Sequence, residues 1–358
     1  MPRRPTKASR PLIYLSGPYK NVGDALIRRR ALTWAREVGP VTVLLGGSSS
    51  KVWSEALGLT PGDTILRSKS AWVRAAFSLS SRPVLFIEPG EFNTDRRFLP
   101  FHAFMLSVAL LVRLRGGTVA QMPRSLARRS ALGTALYRST LGRRGSVLWR
   151  EKPSWIFFRE KGDVVPDIAF DDPDSVTTTS HPRDLMIVST RSDRPSLDDR
   201  HLQWIKAFAA DRGLSLVTVS QVAEDDSRTV ELARALDARP VLWGYNSSNE
   251  QEALVRDLYA RSVLVLSDRL HVLVLAALHG ASPTEIVPSP NGKAAKHFDA
   301  IGLPGISHDA TPITSAEDLH ELLAKVIERD AEVRDAVAAA RIRIDMARQA
   351  VVSESTRS

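Results

Sequence analysis

Short apolar runs alternate with helical patterns along the whole sequence, and this alternation constrains the fold more than any other feature. The runs include "LIYL" (12–15) and "VLFIE" (84–88) in the first half, and "LMIVST" (185–190) and "VLVLS" (263–267) in the second. Strands that alternate with helices build parallel sheets, because each crossover helix returns the chain to the same end of the sheet. The sequence therefore predicts an α/β protein with two parallel sheets.

The charge distribution favours two domains. Residues 1–161 contain 28 Lys and Arg against 9 Asp and Glu, a balance of +19, whereas residues 162–358 contain 21 against 31, a balance of −10. Residues 170–184 lie near this change and have the Asp, Pro, Ser and Thr content of a linker. We predict a basic N-terminal Rossmann-like domain over 11–175, a second over 183–312, a helical segment over 313–350, and disordered ends at 1–10 and 351–358.

The composition excludes several classes of protein and site. The chain contains no cysteine, so disulfides, thiolate metal sites and cysteine nucleophiles are excluded. The most apolar stretch, residues 104–112, is shorter than the roughly 20 residues that span a bilayer. With no signal-peptide pattern, we expect a soluble, cytoplasmic protein. The basic residues occur singly and in pairs, without the basic helix or aromatic-studded strand of a nucleic-acid-binding protein, so no nucleic acid partner is expected.

Two polar side chains interrupt the apolar stretch "SDRLHVLVLAALHG" (267–280). Arg269 and His271 fall between a buried strand and a buried helix, in the first turn of that helix, where Leu270 lies between them. Backbone amides, the helix dipole and a guanidinium converge at such a position, which favours an anion. The alternative is structural: an ion pair between Arg269 and a carboxylate such as Asp268, with His271 as a hydrogen-bonded core residue.

Two further strand ends carry polar residues. Arg191 and Asp193 follow the first strand of the second half, and Asn21, Gly23 and Asp24 follow the opening strand. The carboxyl ends of parallel strands meet at one edge of a sheet, so Arg191 and Arg269 are expected to reach the same crevice. Two arginines and a histidine there indicate a small phosphate- or carboxylate-bearing substrate. Alternatively, Arg191 lies in a surface loop and Asp24 only caps its helix.

With these residues in view, the chain resembles the polysaccharide pyruvyl transferase family. "NVGDALIRR" (21–29) is similar to the family's N-x-G-D-x-x-I opening, and "STRSD" (189–193) to its R-x-D segment. "LVLSDRLHVLVLAALHGASP" (264–283) is similar to its S-x-R-L-H stretch with the A, G and P that follow. "QMPRS" (121–125) is similar to the family's P-Q-S segment but carries Arg124 in place of glutamine. "IEPGEFNTDRR" (87–97) stands where many members are glycine-rich.

The resemblance implies two Rossmann-like domains that face each other across a cleft, as in GT-B glycosyltransferases. It also implies transfer of the pyruvyl unit of phosphoenolpyruvate to a polysaccharide or lipid-linked saccharide, giving a pyruvate ketal and phosphate. Arg191 and Arg269 would then bind the phosphate and carboxylate of this donor, and His271 would be the general acid. Asp24 would orient or deprotonate a sugar hydroxyl, and Lys293 in "NGK" (291–293) would reach the phosphate or remain solvent-exposed.

Two other interpretations stay open at this stage. A GT-B glycosyltransferase that uses a nucleotide sugar would share the fold and differ in its donor. The basic first half would also suit peripheral contact with an anionic membrane at the inner face of the plasma membrane, or would serve solubility alone. No metal is expected, because the histidines other than His271 lack metal-ligand spacing. No cofactor is expected either, with phosphoenolpyruvate as the donor substrate that the resemblance implies.

Overall fold

Each half of the chain builds one parallel sheet from these apolar runs. The structure, a computed structural model, describes residues 9–17, 20–46, 51–77, 82–142, 145–175 and 182–357. Unit 1 consists of the described residues up to 17, those in 24–168 and those from 342 onward. Residues 20–23 and the described part of 169–341 form unit 2.

Unit 1 contains strands and helices in alternation. Its strands are β1 (Ser9–Leu15), β2 (Thr42–Leu45), β3 (Thr64–Leu66), β4 (Arg82–Ile87), β5 (Gly90–Phe92), β6 (Thr118–Leu126), β7 (Val147–Trp149) and β8 (Asp163–Val164). Its helices are α1 (Val22–Val38, of which the first two residues belong to unit 2), α2 (Lys51–Ala56), α3 (Lys69–Phe77), α4 (Leu99–Leu114), α5 (Ala131–Leu141) and α6 (Lys152–Phe157). The strand order is β3-β2-β1-β4-β6-β7-β8, with β5 paired to the distal end of β6.

Unit 2 repeats the same architecture. Its strands are β9 (Leu185–Ser189), β10 (Ser215–Val219), β11 (Arg239–Val241), β12 (Ser262–Ser267), β13 (Ser282–Val287) and β14 (Ser307–Asp309). Its helices are α7 (Asp199–Asp211), α8 (Asp226–Leu236), α9 (Ser248–Ala260), α10 (Leu270–Leu278), α11 (Lys293–Asp299), α12 (Ala316–Glu328) and the first part of α13 (Asp330–Arg357). The order β11-β10-β9-β12-β13-β14 is that of a Rossmann sheet.

Continuous apolar strands are explained by burial on both sheet faces. Leu12 and Leu85 of unit 1, and Met186 and Leu264 of unit 2, have almost no exposed surface. Each belongs to the hydrophobic cluster of its own unit. From Val272 to Leu278, helix α10 is buried around its whole circumference, as the lack of polar residues in this stretch predicts. The α/β class with two Rossmann-like sheets is therefore confirmed.

The division of the chain differs from the predicted one in three places. The break falls after Ile168 rather than near 175–183, and residues 176–181 of the predicted linker lie outside the described residues. The predicted helical segment over 313–350 is not separate, because α12 and the first part of α13 pack with unit 2. Disorder over 351–358 is wrong for 351–357, which complete α13.

Packing at the chain end explains the last correction. Val351 is buried, and the carbonyl of Ser355 accepts hydrogen bonds from the Ser9 hydroxyl at 3.1 Å and from Arg82 Nη2 at 3.0 Å. A polar tail was expected to fray, but these contacts tie it to the first and fourth strands. The same contacts hold Ser9 and Arg10 in β1, so the expected disorder of the N-terminus is wrong at these two residues, and residues 1–8 lie outside the described residues.

Candidate active site

Strands β9 and β12 are neighbours in the sheet of unit 2, and their last residues are in register. Ser189 pairs with Ser267, so Arg191 and Arg269 each lie two residues beyond a matched pair. Parallel strands place both arginines at the carboxyl edge, where open α/β sheets bind ligands. The register confirms that both arginines follow the same sheet edge, whereas a shared crevice for their side chains stays a prediction.

Arg191 is held by the aspartate two residues after it. Its Nε and Nη2 donate to the two carboxylate oxygens of Asp193, each at 2.7 Å. The backbone amide of Arg191 donates to Asp268 Oδ1 at 2.9 Å, which fixes the loop to the end of β12. The hydrogen bonds from Arg191 hold the pKa of Asp193 down to about 2, so this carboxylate is ionised at neutral pH.

Arg269 is held by an aspartate that the sequence analysis missed. Its Nε donates to Oδ2 of Asp225, which is buried in the turn after β10. Oδ1 of Asp225 accepts the backbone amide of Ser192 at 2.9 Å. One buried carboxylate therefore joins the two arginine-bearing loops. The signal available in the sequence was an acidic run, "EDD" (224–226), directly after a third strand of the same sheet.

The two guanidinium groups are bound by their aspartates in the same way, because in each the Nε atom donates to a carboxylate oxygen. The remaining nitrogens, which are Arg191 Nη1 and both Nη atoms of Arg269, donate to none of the residues that the structure describes. The outer edge of each guanidinium thus keeps donors that match the two oxygens of a carboxylate or phosphate. Two such edges at one sheet end carry the type of donors that a compact dianion requires, and binding of such an anion stays a prediction.

His271 lies in the first turn of α10, beside a loop from the start of the chain. Asn21 forms a β-bridge with Val222, and the amide of Val22 donates to the carbonyl of Gln221 at 3.3 Å. This docking brings Gly23 against the imidazole, since a methyl group built on Gly23 would lie 2.5 Å from Nδ1 of His271. The glycine of the N-x-G-D motif is therefore required by close packing on the predicted general acid.

Leu270 and Lys293, the other predicted ligands in unit 2, differ in what they offer. The side chain of Leu270 is buried, so only its backbone amide, at the first position of α10, can face a ligand. Lys293 begins α11 after Gly292, which adopts a left-handed conformation, and the backbone amide of Lys293 donates to Asn291 Oδ1 at 2.8 Å. A contact between Lys293 and phosphate stays a prediction.

Asp24 lies in the first turn of α1 and is bound by an arginine. Its Oδ1 is 2.7 Å from Nη1 of Arg28, whose Nε is 3.5 Å from Oε2 of Glu88. Burial alone would lower the pKa of Arg28, but the two carboxylates raise it, so the cation persists. Glu88 also accepts hydrogen bonds from the amide and hydroxyl of Ser16, at 2.9 and 2.8 Å. Asp24 is thus part of a network that connects β1, β4 and α1.

Unit 1 has its own pocket at the carboxyl edge of its sheet. It has a volume of about 390 Å³ and is lined by four aromatic and six polar residues. These are Tyr14, Ser16, Glu88, Glu91, Phe92, Asn93, Phe98, Phe101, His102 and Arg124. Strand β5, which replaces a glycine-rich stretch, pairs with β6 and supplies two of them. The sequence marks Arg124 and the stretch 87–97, which contains Glu91, as unusual but does not predict that they line one pocket.

Comparison with known proteins decides the family. The family model described as polysaccharide pyruvyl transferase matches residues 21–283, which is most of the chain. The chain belongs to the polysaccharide pyruvyl transferase family. The match begins at Asn21 and contains Arg191, Arg269 and His271, so it spans both units. Among curated proteins, no sequence matches.

Solved structures support the fold of this pyruvyl transferase family member. The UDP-GlcNAc 2-epimerase of Neisseria meningitidis, bound to UDP-GlcNAc, is similar with a TM-score of 0.60 at 9% identity, covering 97% of this chain and 99% of that one. HepE from Anabaena, in complex with UDP, is similar with a TM-score of 0.56 at 13% identity, covering 96% and 98%. At these identities the likeness shows the fold alone, which is GT-B-like.

Proposed function

We propose that this chain transfers the pyruvyl group of phosphoenolpyruvate to two hydroxyls of a saccharide, forming a ketal and releasing phosphate. The family supports transfer to a polysaccharide or its precursor. The observation that carries the donor is the pair of guanidinium edges of Arg191 and Arg269, each backed by an aspartate at matched strand ends. Phosphoenolpyruvate has one phosphate and one carboxylate, and so presents two oxyanions to two arginines.

The residues suggest how the bonds change. His271, in its protonated form, donates a proton to C3 of phosphoenolpyruvate, which makes C2 electrophilic. A sugar hydroxyl then adds to C2, and its proton goes to the imidazole of His271, which restores the acid. The C2–O bond to phosphate breaks, a second hydroxyl closes the ketal, and its proton leaves with the phosphate. In the overall reaction, the acceptor and phosphoenolpyruvate give the ketal and phosphate. The acceptor therefore gains the atoms of pyruvic acid minus those of one water molecule.

In this proposal Asp24 positions other residues and is not the catalytic base. Its carboxylate is bound to Arg28, and the residue before it packs on His271. We assign Asp24 to fixing the first turn of α1 through its ion pair with Arg28. Lys293 is proposed as a further phosphate ligand from the start of α11, and Asn21 as the residue that fixes the loop to the turn after β10.

The experiment that tests the donor compares phosphoenolpyruvate with UDP-sugars. A ligand that binds only the folded state raises the melting temperature by an amount set by its concentration and affinity. We expect stabilisation by phosphoenolpyruvate and, with acceptor saccharide, phosphate release and a product whose mass exceeds that of the acceptor by pyruvic acid less water. Stabilisation by a UDP-sugar but not by phosphoenolpyruvate would contradict the proposal.

A nucleotide-sugar transferase is the second candidate, because the similar epimerase and HepE were solved with UDP-GlcNAc and UDP, respectively. That likeness concerns the fold, whereas the paired arginines concern the ligand. A uridine diphosphate also carries two anionic groups, but it needs further contacts for its ribose and its base, which phosphoenolpyruvate does not. The donor comparison above separates the two candidates directly.

We also propose that the protein works at the inner face of the plasma membrane, through helix α4. The helical stretch Arg96–Leu114 is long and apolar enough to cross a membrane by length and composition, and 28% of its most apolar 18-residue window is buried. One side of α4 packs in the core through Met105 and Val112, while Leu110 and Leu114 are exposed on another. This arrangement favours a helix that lies in the membrane surface over one that spans it.

A further inference from the structure

Three arginines are buried among the described residues, and they differ in their partners. Arg150 is 2.6 Å from Asp167, and Arg28 pairs with Asp24 and lies near Glu88. Arg124 is only 5% exposed, yet no described carboxylate forms an ion pair with it. Because an arginine stays charged in a protein, a buried guanidinium without a counter-ion is costly and indicates that an anion comes from outside the chain.

The contacts of Arg124 orient it without neutralising it. Its guanidinium lies over the ring of Phe92, with the carbon 4.5 Å from the centroid. Nη1 donates to the Tyr137 hydroxyl at 3.3 Å, and Tyr137 in turn donates to Gln121 Oε1 at 2.6 Å. Nε is buried and has no hydrogen-bond partner among the described residues. Arg124 lines the 390 Å³ pocket of unit 1, so its remaining donors are available to a molecule in that pocket.

The neighbouring side chains do not supply the missing charge. The Glu88 oxygens are taken by Ser16 and lie beside Arg28, so this carboxylate already has a cation. Glu91 is exposed to solvent, which screens its charge. Burial lowers the pKa of His102, whose Nε2 lies 2.7 Å from the carbonyl of Asn93, so this ring is neutral at pH 7 and adds no second cation.

We propose that this pocket binds a carboxylate-bearing sugar residue of the saccharide acceptor, with Arg124 as the residue that selects it. A planar carboxylate matches the donors of a guanidinium. The rings of Tyr14, Phe98 and Phe101 provide apolar walls for the faces of a sugar ring, and Asn93 offers a polar amide among them. The pocket volume suits one or two sugar residues rather than a long chain. That the sugar belongs to the acceptor rests on the proposed function, whereas the pocket and its anion do not.

The test is a binding titration without phosphoenolpyruvate, followed by ligand-observed NMR. The probes are a methyl glucuronide, the neutral methyl glucoside and glucose 6-phosphate. The variants are Arg124→Gln, which keeps hydrogen-bonding capacity but removes the charge, and Arg124→Lys, which keeps the charge. Arg74→Gln, an exposed arginine of α3, is the control in the same unit. A charge-assisted hydrogen bond predicts that Arg124→Gln weakens glucuronide binding about 10- to 100-fold.

We expect wild type and Arg74→Gln to prefer the glucuronide over the glucoside. Arg124→Lys should keep part of that preference. Arg124→Gln should lose the preference, while its affinity for the glucoside stays that of wild type. Equal affinity of wild type for glucuronide and glucoside would overturn the proposal, and so would a preference for the sugar phosphate over the glucuronide. If Arg124→Gln melts far below wild type, the glucuronide affinity of Arg124→Lys replaces it as the test, and the proposal then requires this affinity to be lower than that of wild type. Arg124-dependent glucuronide binding in a protein that releases no phosphate from phosphoenolpyruvate would keep this pocket and contradict the pyruvyl transfer.

Discussion

Gly23 lies directly against the imidazole of His271, so any side chain at position 23 would collide with it. A methyl group on Gly23 would meet Nδ1 at 2.5 Å. Gly23→Ala must therefore displace either the start of α1 or the imidazole. A shift of about 1 Å at a reacting group costs on the order of 100-fold in rate, so we expect kcat to fall about 10- to 100-fold.

Gly62→Ala is the matched control for this variant, because its added methyl would only contact the Thr60 hydroxyl at 3.6 Å. Melting temperature and the rate of phosphate release from phosphoenolpyruvate are measured on both proteins. Wild-type kcat in Gly23→Ala would show that the position of His271 does not matter to the reaction.

The arginine pair predicts a loss of donor affinity. Arg191→Ala and Arg269→Ala should each weaken phosphoenolpyruvate binding about 10- to 100-fold, the value of a charge-assisted hydrogen bond. Asp225→Asn should weaken it too, because the amide cannot hold both Ser192 and Arg269 as a carboxylate does. Titration calorimetry gives the affinities, with the exposed Arg200→Ala as control. An unchanged affinity in either arginine variant removes that residue from the donor site.

His271→Gln separates a catalytic from a structural histidine. Glutamine can pack and donate a hydrogen bond but cannot act as an acid, so kcat should fall about 10²- to 10⁴-fold with little change in phosphoenolpyruvate affinity. His320→Gln is the control, since His320 is also a half-buried histidine, and its Nε2 lies 2.9 Å from the carbonyl of Trp204 rather than among the residues of the site. A loss of melting temperature with normal kcat would make His271 a structural residue.

The contributions of sequence and long-range packing can be separated at this site. Arg191 and Arg269 were predictable because each follows an apolar run that parallel pairing brings to one sheet edge. Asp225 was missed, because an acidic residue in a turn is expected to be solvated until the fold buries it between two loops. Strand β5 was missed because "EPGE" (88–91) is typical of a turn, although Gly90–Phe92 pairs with β6.

The pocket of unit 1 could not be derived from local patterns. It is assembled from the ends of β1, β4 and β6, from β5 and from one face of α4, which are spread over more than a hundred positions of the chain. In the sequence, Arg124 is only a departure from glutamine. Its role depends on its burial and on the absence of an ion-pair partner among the described residues, and both follow from the three-dimensional fold.

Glu285 predicts a pH dependence of stability. Burial raises its pKa above the ordinary 4.5, the nearby Asp268 raises it further, and a hydrogen bond from Ser307 opposes both. The folded state therefore holds this proton more tightly than the unfolded state, so stability falls as pH rises from 4.5 through the raised pKa. Glu285→Gln cannot ionise, and it should melt higher than wild type at neutral pH and no higher below about pH 4.5.

Melting curves at pH about 4 and about 7.5 check this sign. Glu321→Gln, an exposed carboxylate on α12, should shift the melting temperature little at either pH. If Glu285→Gln is the less stable protein at both values, the hydrogen bonds of the ionised carboxylate outweigh the cost of burying it.

The exposed side of α4 gives the prediction for the membrane. Leu110 and Leu114 are 51% and 82% exposed, and basic residues stand at both ends of the helical stretch, among them Arg96 and Arg115. Apolar side chains would insert between lipid tails while the +19 balance of residues 1–161 attracts anionic headgroups, at roughly 1 kcal/mol per nearby basic residue. Replacing both leucines by serine should lower vesicle binding about 10-fold or more.

Co-sedimentation with anionic and neutral vesicles at low and high salt measures this binding. Ile342→Ser with Met346→Ser is the matched control, because it removes two similarly exposed apolar residues from α13. Binding of wild type should need anionic lipid and fall steeply with salt, since exposed charges are screened within about 10 Å at 0.1 M salt.

Arg143 and Arg144 lie outside the described residues, and their change to glutamate tests the charge alone. Equal vesicle binding by the α4 variant and wild type would place the contact elsewhere, and recovery of wild type in the supernatant under every condition would contradict the membrane role.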